Sequence, residues 1–324
     1  MKNIAIIGAG MTGLSLAYNL QEHNITIFDK SWRSGGRVST RRHDHLLFDH
    51  GAHYISLNHN VSQLRSLLKQ MNISKEVEIN FLINFKENKI SKKRIIIGNN
   101  GMNSIPNSIY NSLNVKSYFN SKIIKVIENK NNLFNLYTEK DEYKNFDFVL
   151  ICIPYIQAKE LSSNILNISN NYEPIYDPIY TVMLSYEKNN NIEVDGGLNL
   201  NKNISFYMKQ NIKFPELKNE NWVINMNSNY TSKNININNK DLENYVQKIF
   251  KKSFNIKQSP IFIKAHRWLY AQTKTSYRDL SKKSWINSSD NKVFLTGDWA
   301  IGKSLTDAWK AGLKLSHYIK ILDI

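Results

Sequence analysis

The chain has 324 residues, a formal net charge of +16, 41 % hydrophobic and 22 % charged residues. That composition excludes disordered and collagen-like classes, and no apolar run reaches the roughly 18–20 residues of a membrane helix. The length predicts two domains or one large one. The first residues, NIAII (3–7), read as a strand. GAGMTG (8–13) follows, then a helix through Leu14, Ala17, Tyr18 and Leu20, then the strand NITIFDK: a βαβ unit within about 30 residues. Segment 61–72 predicts an amphipathic helix, 79–97 strands, and 104 onward a helix with Pro106 in its first turn. Three strands are expected over 122–128, 134–138 and 146–153.

From about 155 to 290 the chain changes style, with YTVMLSYE, ISFYMKQ and NWVINMN as strands and KDLENYVQKIFKKSF as a helix. KVFLTGD and SLTDAWKAGLKLSHYIKIL return to strand and helix. The expected fold class is α/β with an α+β insert. A discontinuous Rossmann-type nucleotide domain is built from 1–60, 100–155 and 290–324. A mixed-sheet substrate domain is built from 61–99 and 156–289.

Cys152 is the only cysteine, so no disulfide forms within one chain, and its apolar run reads as a buried strand. The opening segment lacks an Ala-x-Ala cleavage site, which predicts a cytoplasmic protein. Lys and Arg outnumber Asp and Glu by 43 to 27, but the chain also holds 45 asparagines. The charge reads first as a surface bias that attracts phosphorylated ligands, and second as a polyanion site.

Gly8, Gly10 and Gly13 form G-x-G-x-x-G between a strand and a helix, the context of a dinucleotide site. Gly8 permits the tight turn, Gly10 the approach of a pyrophosphate, and Gly13 close helix packing. The helix N-terminus offers N–H donors to phosphate. Asp29, at the end of the second strand, is placed to accept hydrogen bonds from ribose. In SGGRVSTRR (34–42), Gly36 permits close backbone approach and Arg37 neutralises a phosphate.

With FDHGAHYIS (48–56), GMNSIP (101–106), HRWLYA (266–271) and GDW (297–299), this series resembles the flavin amine oxidase superfamily and, within it, the renalase family. The resemblance implies an amine oxidase-like or p-hydroxybenzoate hydroxylase-like fold and non-covalently bound FAD. Gly8, Gly10, Thr12 and Gly13 would hold the pyrophosphate region, Asp29 the adenosine ribose with Lys30 beside it, and Gly36 and Arg37 phosphate. Ile123 would meet adenine through its backbone. Gly297, Asp298 and Trp299 would meet the ribityl chain and ring, with Asp298 opening the last strand–helix turn. His53 and Tyr54 would sit beside the flavin, where relatives often carry Gln-Tyr.

His53, Tyr54, His266 and Trp268 are the catalytic candidates; the last two, with Arg267, are expected between the strands IFIK and LYAQ, walling the substrate cavity or simply packing. His43, His45, His50 and His53 cluster within 11 residues, with His43 and His45 on one strand face if extended. They match no zinc signature, so no metal is expected. The implied reaction is oxidation of 2- and 6-dihydro isomers of NAD(P)H to NAD(P)+, with O2 giving H2O2. The alternative is an amine or a desaturase-like substrate, with Tyr54, Trp268, Tyr270 and Trp299 as an aromatic cage. A monomer or weak dimer is expected, with a small-molecule substrate and neither a nucleic-acid nor a membrane partner.

Overall fold

A computed structural model of the chain describes residues 1–57, 62–85, 89–168, 173–275 and 283–322. The opening unit forms as β1 (Asn3–Ile7), α1 (Met11–Asn19) and β2 (Asn24–Phe28). A hairpin of β3 (Thr40–His43) and β4 (Leu46–Asp49) precedes the two-residue β5 (Ile55–Ser56). α2 (Ser62–Gln70) buries Leu64, Leu67 and Leu68, one helical stripe. Val61, expected to open it, lies outside the described residues. β6 (Ser74–Asn84) and β7 (Lys89–Gly98) pair antiparallel, with 86–88 outside the described residues.

α3 (Ser104–Asn111) leads to β8 (Lys116–Tyr118), β9 (Lys125–Glu128), β10 (Phe134–Tyr137), β11 (Glu142–Phe146), β12 (Phe148–Ile151) and α4 (Tyr155–Leu161). Then come β13 (Ile175–Tyr186), β14 (Gly196–Leu198), β15 (Ile204–Lys209), β16 (Glu220–Met226), α5 (Ser228–Lys233), α6 (Asn239–Ser253) and β17 (Phe262–Thr275). β18 (Ile286–Asn287), β19 (Val293–Leu295), a 3-10 turn at Asp298–Ala300 and α7 (Leu305–Ile321) complete the chain.

A six-stranded sheet in the order β18-β19-β12-β1-β2-β8 carries the glycine motif. All its pairs are parallel except β18–β19. β1 and β12 neighbour each other although far apart in sequence, so connections leave in opposite directions on either side. Ligands of such sheets bind at this switch point, beyond the carboxyl ends of the strands. Gly8 lies there, with φ +111° and a missing Cβ that would stand 2.8 Å from the Cys152 carbonyl. Alternate residues of β1 feed opposite cores. Ile4 and Ile6 pack toward α1 and α7, Ala5 and Ile7 toward Val126, Leu136 and Trp299. α1 and α7 touch closely because Gly312 has no Cβ to strike the Thr12 carbonyl.

The second sheet has eight strands, β17-β13-β16-β15-β14-β6-β7-β5. One face packs Tyr180, Val182, Tyr207, Trp222 and Ile224 against Leu242, Val246 and Phe250 of α6. The other carries Met183 and Val223 against Leu46 and Phe48, and Ile79, Phe81, Ile95 and Met208 in the core shared with α1. The side chains of the GAHY turn described below lie on or against this inner face.

Three expectations are corrected. His43 and His45 do not share a strand face, because Asp44, at φ +49°, turns the hairpin between them. The His43 ring meets that of Phe262 at a tilt of 35°, and His45 pairs with Asn219. HRW does not separate two strands: residues 262–275 form one, with ten residues registered on β13. Cys152 lies just past the end of β12 and is half-buried.

Candidate functional site

The glycine turn delivers α1 with its N-terminus open. The first intrahelical bond runs from Leu14 N–H to the Gly10 carbonyl, no side chain caps the helix, and its first turn has no acid. The preceding N–H groups are therefore donors for an anion. A Cβ on Gly13 would fall on the Gly8 carbonyl, whereas one on Gly10 would meet nothing within 4 Å. Gly10 thus guards open space beside the helix end, which fits a pyrophosphate. Gly36, at φ +55°, faces Gly10, its would-be Cβ 3.6 Å from the Gly10 Cα. Asp29 Oδ2 accepts from Ala9 N–H at 2.7 Å and Oδ1 from Ser31 N–H at 2.7 Å, which fixes the carboxylate and leaves each oxygen a second lone pair. Lys30 is exposed beside it. Ile123 is buried, and among the described residues nothing engages its N–H or carbonyl. A free backbone donor and acceptor side by side fit an adenine edge.

Two of the expected cofactor residues have their side chains engaged within the protein. The Thr12 hydroxyl donates to the Ala308 carbonyl at 2.9 Å and so ties α1 to α7. Trp299 is fully buried against Tyr155, and its indole N–H donates to the Ile153 carbonyl. It belongs to the core, and the same burial removes it from the expected aromatic cage. Gly297 is glycine because a Cβ would strike the Trp299 indole. Asp298 opens the 3-10 turn, not α7, whose N-terminus is closed by a Ser304–Asp307 capping box. Asp298 and Arg37 are brought together: Nη2 donates to Oδ1 at 2.6 Å, while Nη1 reaches the Tyr270 and Ala271 carbonyls at 3.2 and 3.3 Å. Burial pushes the Arg37 pKa down, but the Asp298 charge prevails and raises it. The Arg37 side chain remains 32 % exposed, so part of its fork is open to a phosphate.

The GAHY turn is held by a hub the sequence did not reveal. Asp49 and Lys213 form an ion pair at 2.9 Å with both side chains fully buried. Asp49 Oδ1 also accepts from Thr40 Oγ1 and Met102 N–H, and Asp49 N–H donates to Gln210 Oε1. Burial lowers the Lys213 pKa, and the Asp49 carboxylate opposes that shift. The Asp49 carbonyl accepts from His53 Nδ1 at 3.0 Å. Asn225 Nδ2 donates to His53 Nε2 at 2.8 Å, and Thr181 Oγ1 donates to Asn225 Oδ1, which fixes the amide orientation. His53 is thereby neutral and protonated on Nδ1, its pKa lowered to about 3 by burial and by Lys213. Both of its ring nitrogens are engaged. Its ring stacks on Phe206 at 4.5 Å and 16°.

Tyr54 follows, its hydroxyl accepting from Lys93 Nζ at 2.7 Å. On the other side of the turn, the His50 carbonyl accepts from Trp268 Nε1 at 3.0 Å. The rings of His50, His266 and Trp268 meet at 4.4–5.3 Å. Burial lowers His50 to about 3 and His266 to about 4, so both are neutral near pH 7. Asp49, Lys213, Asn225, Phe206 and Lys93 escaped sequence reasoning. An aspartate inside the apolar run LLFDHGA was the one available signal. An open cleft of about 490 Å³ lies by Tyr180, Asn236, Ile237, Asn239 and Arg267. Ala265 and His266 line it too, so the cleft reaches the strand that carries Trp268.

A family model described as "NAD(P)-binding Rossmann-like domain" matches residues 6–71, and one described as "Flavin containing amine oxidoreductase" matches 79–319. Protoporphyrinogen oxidase, mitochondrial, from Nicotiana tabacum is 42 % identical over 53 residues, 16 % of this chain and 10 % of that protein. L-amino acid oxidase Lm29 from Lachesis muta is 53 % identical over 45 residues, 13 % of this chain and 9 % of that protein. The match thus spans about a tenth of these curated relatives. Cyclohexylamine oxidase from Brevibacterium oxydans IH-35A shares the fold, with a TM-score of 0.79 over 100 % of both chains at 12 % identity. The chain belongs to the flavin-containing amine oxidoreductase family.

Proposed function

We propose that the protein oxidises the 2- and 6-dihydro isomers of NAD(P)H to NAD(P)+. The observation that carries this reading is that both carboxylates at the GAHY turn and its His53 are occupied. Asp49 is neutralised by Lys213, Asp298 by Arg37, and both nitrogens of His53 are engaged. A dihydropyridine gives up hydride without first losing a proton, so a wall that positions without titrating meets the need. When bound, FAD would supply the hydride acceptor, with O2 as the oxidant that yields H2O2. The chain's own residues hold and orient. Gly10, Gly36 and the α1 N-terminus take the pyrophosphate, Asp29 the ribose, and Ile123 the adenine edge. His53, locked on Phe206, and Trp268, locked on the His50 carbonyl, set the walls of the substrate space. In this reading 1–60, 100–155 and 290–324 serve the cofactor, and the inserted segments serve the substrate, in the cytoplasm.

An amine is the second reading, favoured by the family and by the edge-on ring pair of Tyr176 and Tyr270 at 5.4 Å. Rapid mixing of holoenzyme under nitrogen separates the two. Flavin absorbance is expected to bleach fast with 6-dihydro-NAD and about 10²-fold slower with ordinary 4-dihydro NADH, whose hydride lies out of line. Bleaching by benzylamine alone would transfer the case to the amine.

A further inference from the structure

Lys93 is a cation inside an aromatic box. Along β7 its neighbours Lys92 and Arg94 point to the outer face, where both meet Glu78. Strand alternation turns Lys93 inward. Its Nζ lies 4.6 Å from the Tyr54 ring centre and 4.5 Å from that of Phe81, and donates to the Tyr54 hydroxyl at 2.7 Å. Phe206 completes the box, 6.2 Å from Tyr54 and 6.3 Å from Phe81. Among the described residues no carboxylate lies within ion-pair distance of Lys93, and its side chain is only half-buried. One ammonium proton is used by Tyr54, so the rest of the donor set remains available. Aromatic faces stabilise a cation. Here they already hold the chain's own, so an amine substrate entering this box would meet like charge at close range.

We propose that Lys93, with Tyr54, is a specificity-determining anion anchor: it takes an anionic oxygen group of the substrate, a phosphate or a carboxylate, and excludes a substrate ammonium. The placement of this box beside the flavin rests on the reading above, in which Tyr54 borders the ring. Under that reading the anchored group is the nicotinamide-side phosphate.

The two anions of the test carry no transferable hydride, so it does not depend on the dihydronicotinamide assignment. Oxidised holoenzyme is titrated with phenyl phosphate, benzoate and benzylamine, which share a ring and differ in charge, and the perturbation of the flavin spectrum is followed. The two anions are expected to titrate the wild type and benzylamine not to. Lys93→Met, which keeps the stem over Phe81, should weaken the anions about tenfold, the scale of one charge-assisted hydrogen bond. Lys93→Arg should restore them. Tighter binding of phenyl phosphate than of benzoate identifies phosphate as the preferred group, and the reverse order identifies carboxylate. Equal binding of the anions to wild type and Lys93→Met, no titration of the wild type by either anion, or benzylamine binding as tightly as they do, would overturn the proposal. Failure of 6-dihydro-NAD to bleach an enzyme that still binds the anions through Lys93 would instead overturn only the substrate reading.

Discussion

Gly10 and Gly13 lie three residues apart and are glycine for opposite reasons. Gly13→Ala sets a Cβ on the Gly8 carbonyl, so α1 must move off the sheet. A loss of at least about 3 kcal/mol is expected in urea unfolding, on the scale of severe overpacking. Gly10→Ala meets only open space at an ordinary negative φ of −78°. Its apoprotein should melt within about 2 °C of wild type, since a surface-like substitution stays within about 0.5 kcal/mol. The FAD-to-protein ratio after gel filtration should nevertheless collapse. The Asp49–Lys213 pair gives a second contrast. Lys213→Met leaves a buried carboxylate unpaired and should cost about 3–5 kcal/mol. Adding Asp49→Asn should recover more than half of that, because the unpaired charge is the larger part. The glycines were legible because spacing alone carries their message. Asp49 and Lys213 were not, being 164 positions apart and meeting only when β4 and the loop after β15 fold together.

At the scale of elements, strong periodicity was legible and short strands were not. α2, α6 and α7 appear where their apolar stripes put them. β5, β8 and β18 have two or three residues each and exist only because a longer neighbour offers its edge. β17 was misread as two pieces because His266 and Arg267 look like a polar break. On a strand buried against the GAHY turn on one face and packed near α6 on the other, those residues serve different faces. The start of α7 is a reciprocal capping box: Ser304 Oγ accepts from Asp307 N–H, and the Asp307 carboxylate accepts from Ser304 N–H at 3.0 Å. Ser304→Ala should therefore cost about 1 kcal/mol in urea unfolding. An unchanged midpoint would show that the cap does not stabilise α7.

The whole molecule shares one core between its two large sheets, and the neutral histidines lie where the sheets meet. Burial holds His50 and His53 at about 3, well below the ordinary 6.5. Unfolded imidazoles take up protons below about pH 6.5 while these do not. The unfolded state then binds more protons, so stability is full above that pH and falls as pH drops. At pH 5 each ring should cost about 2 kcal/mol, and His53→Gln should flatten the decline of the melting temperature from pH 7.5 to 5. The central claim is that this site positions a hydride donor and moves no proton. Its most direct test is the limiting rate of anaerobic flavin bleaching by 6-dihydro-NAD, measured between pH 6 and 9. The account predicts a rate that stays flat across that range. A rate that climbs about tenfold per pH unit to a plateau would reveal an essential base and contradict it.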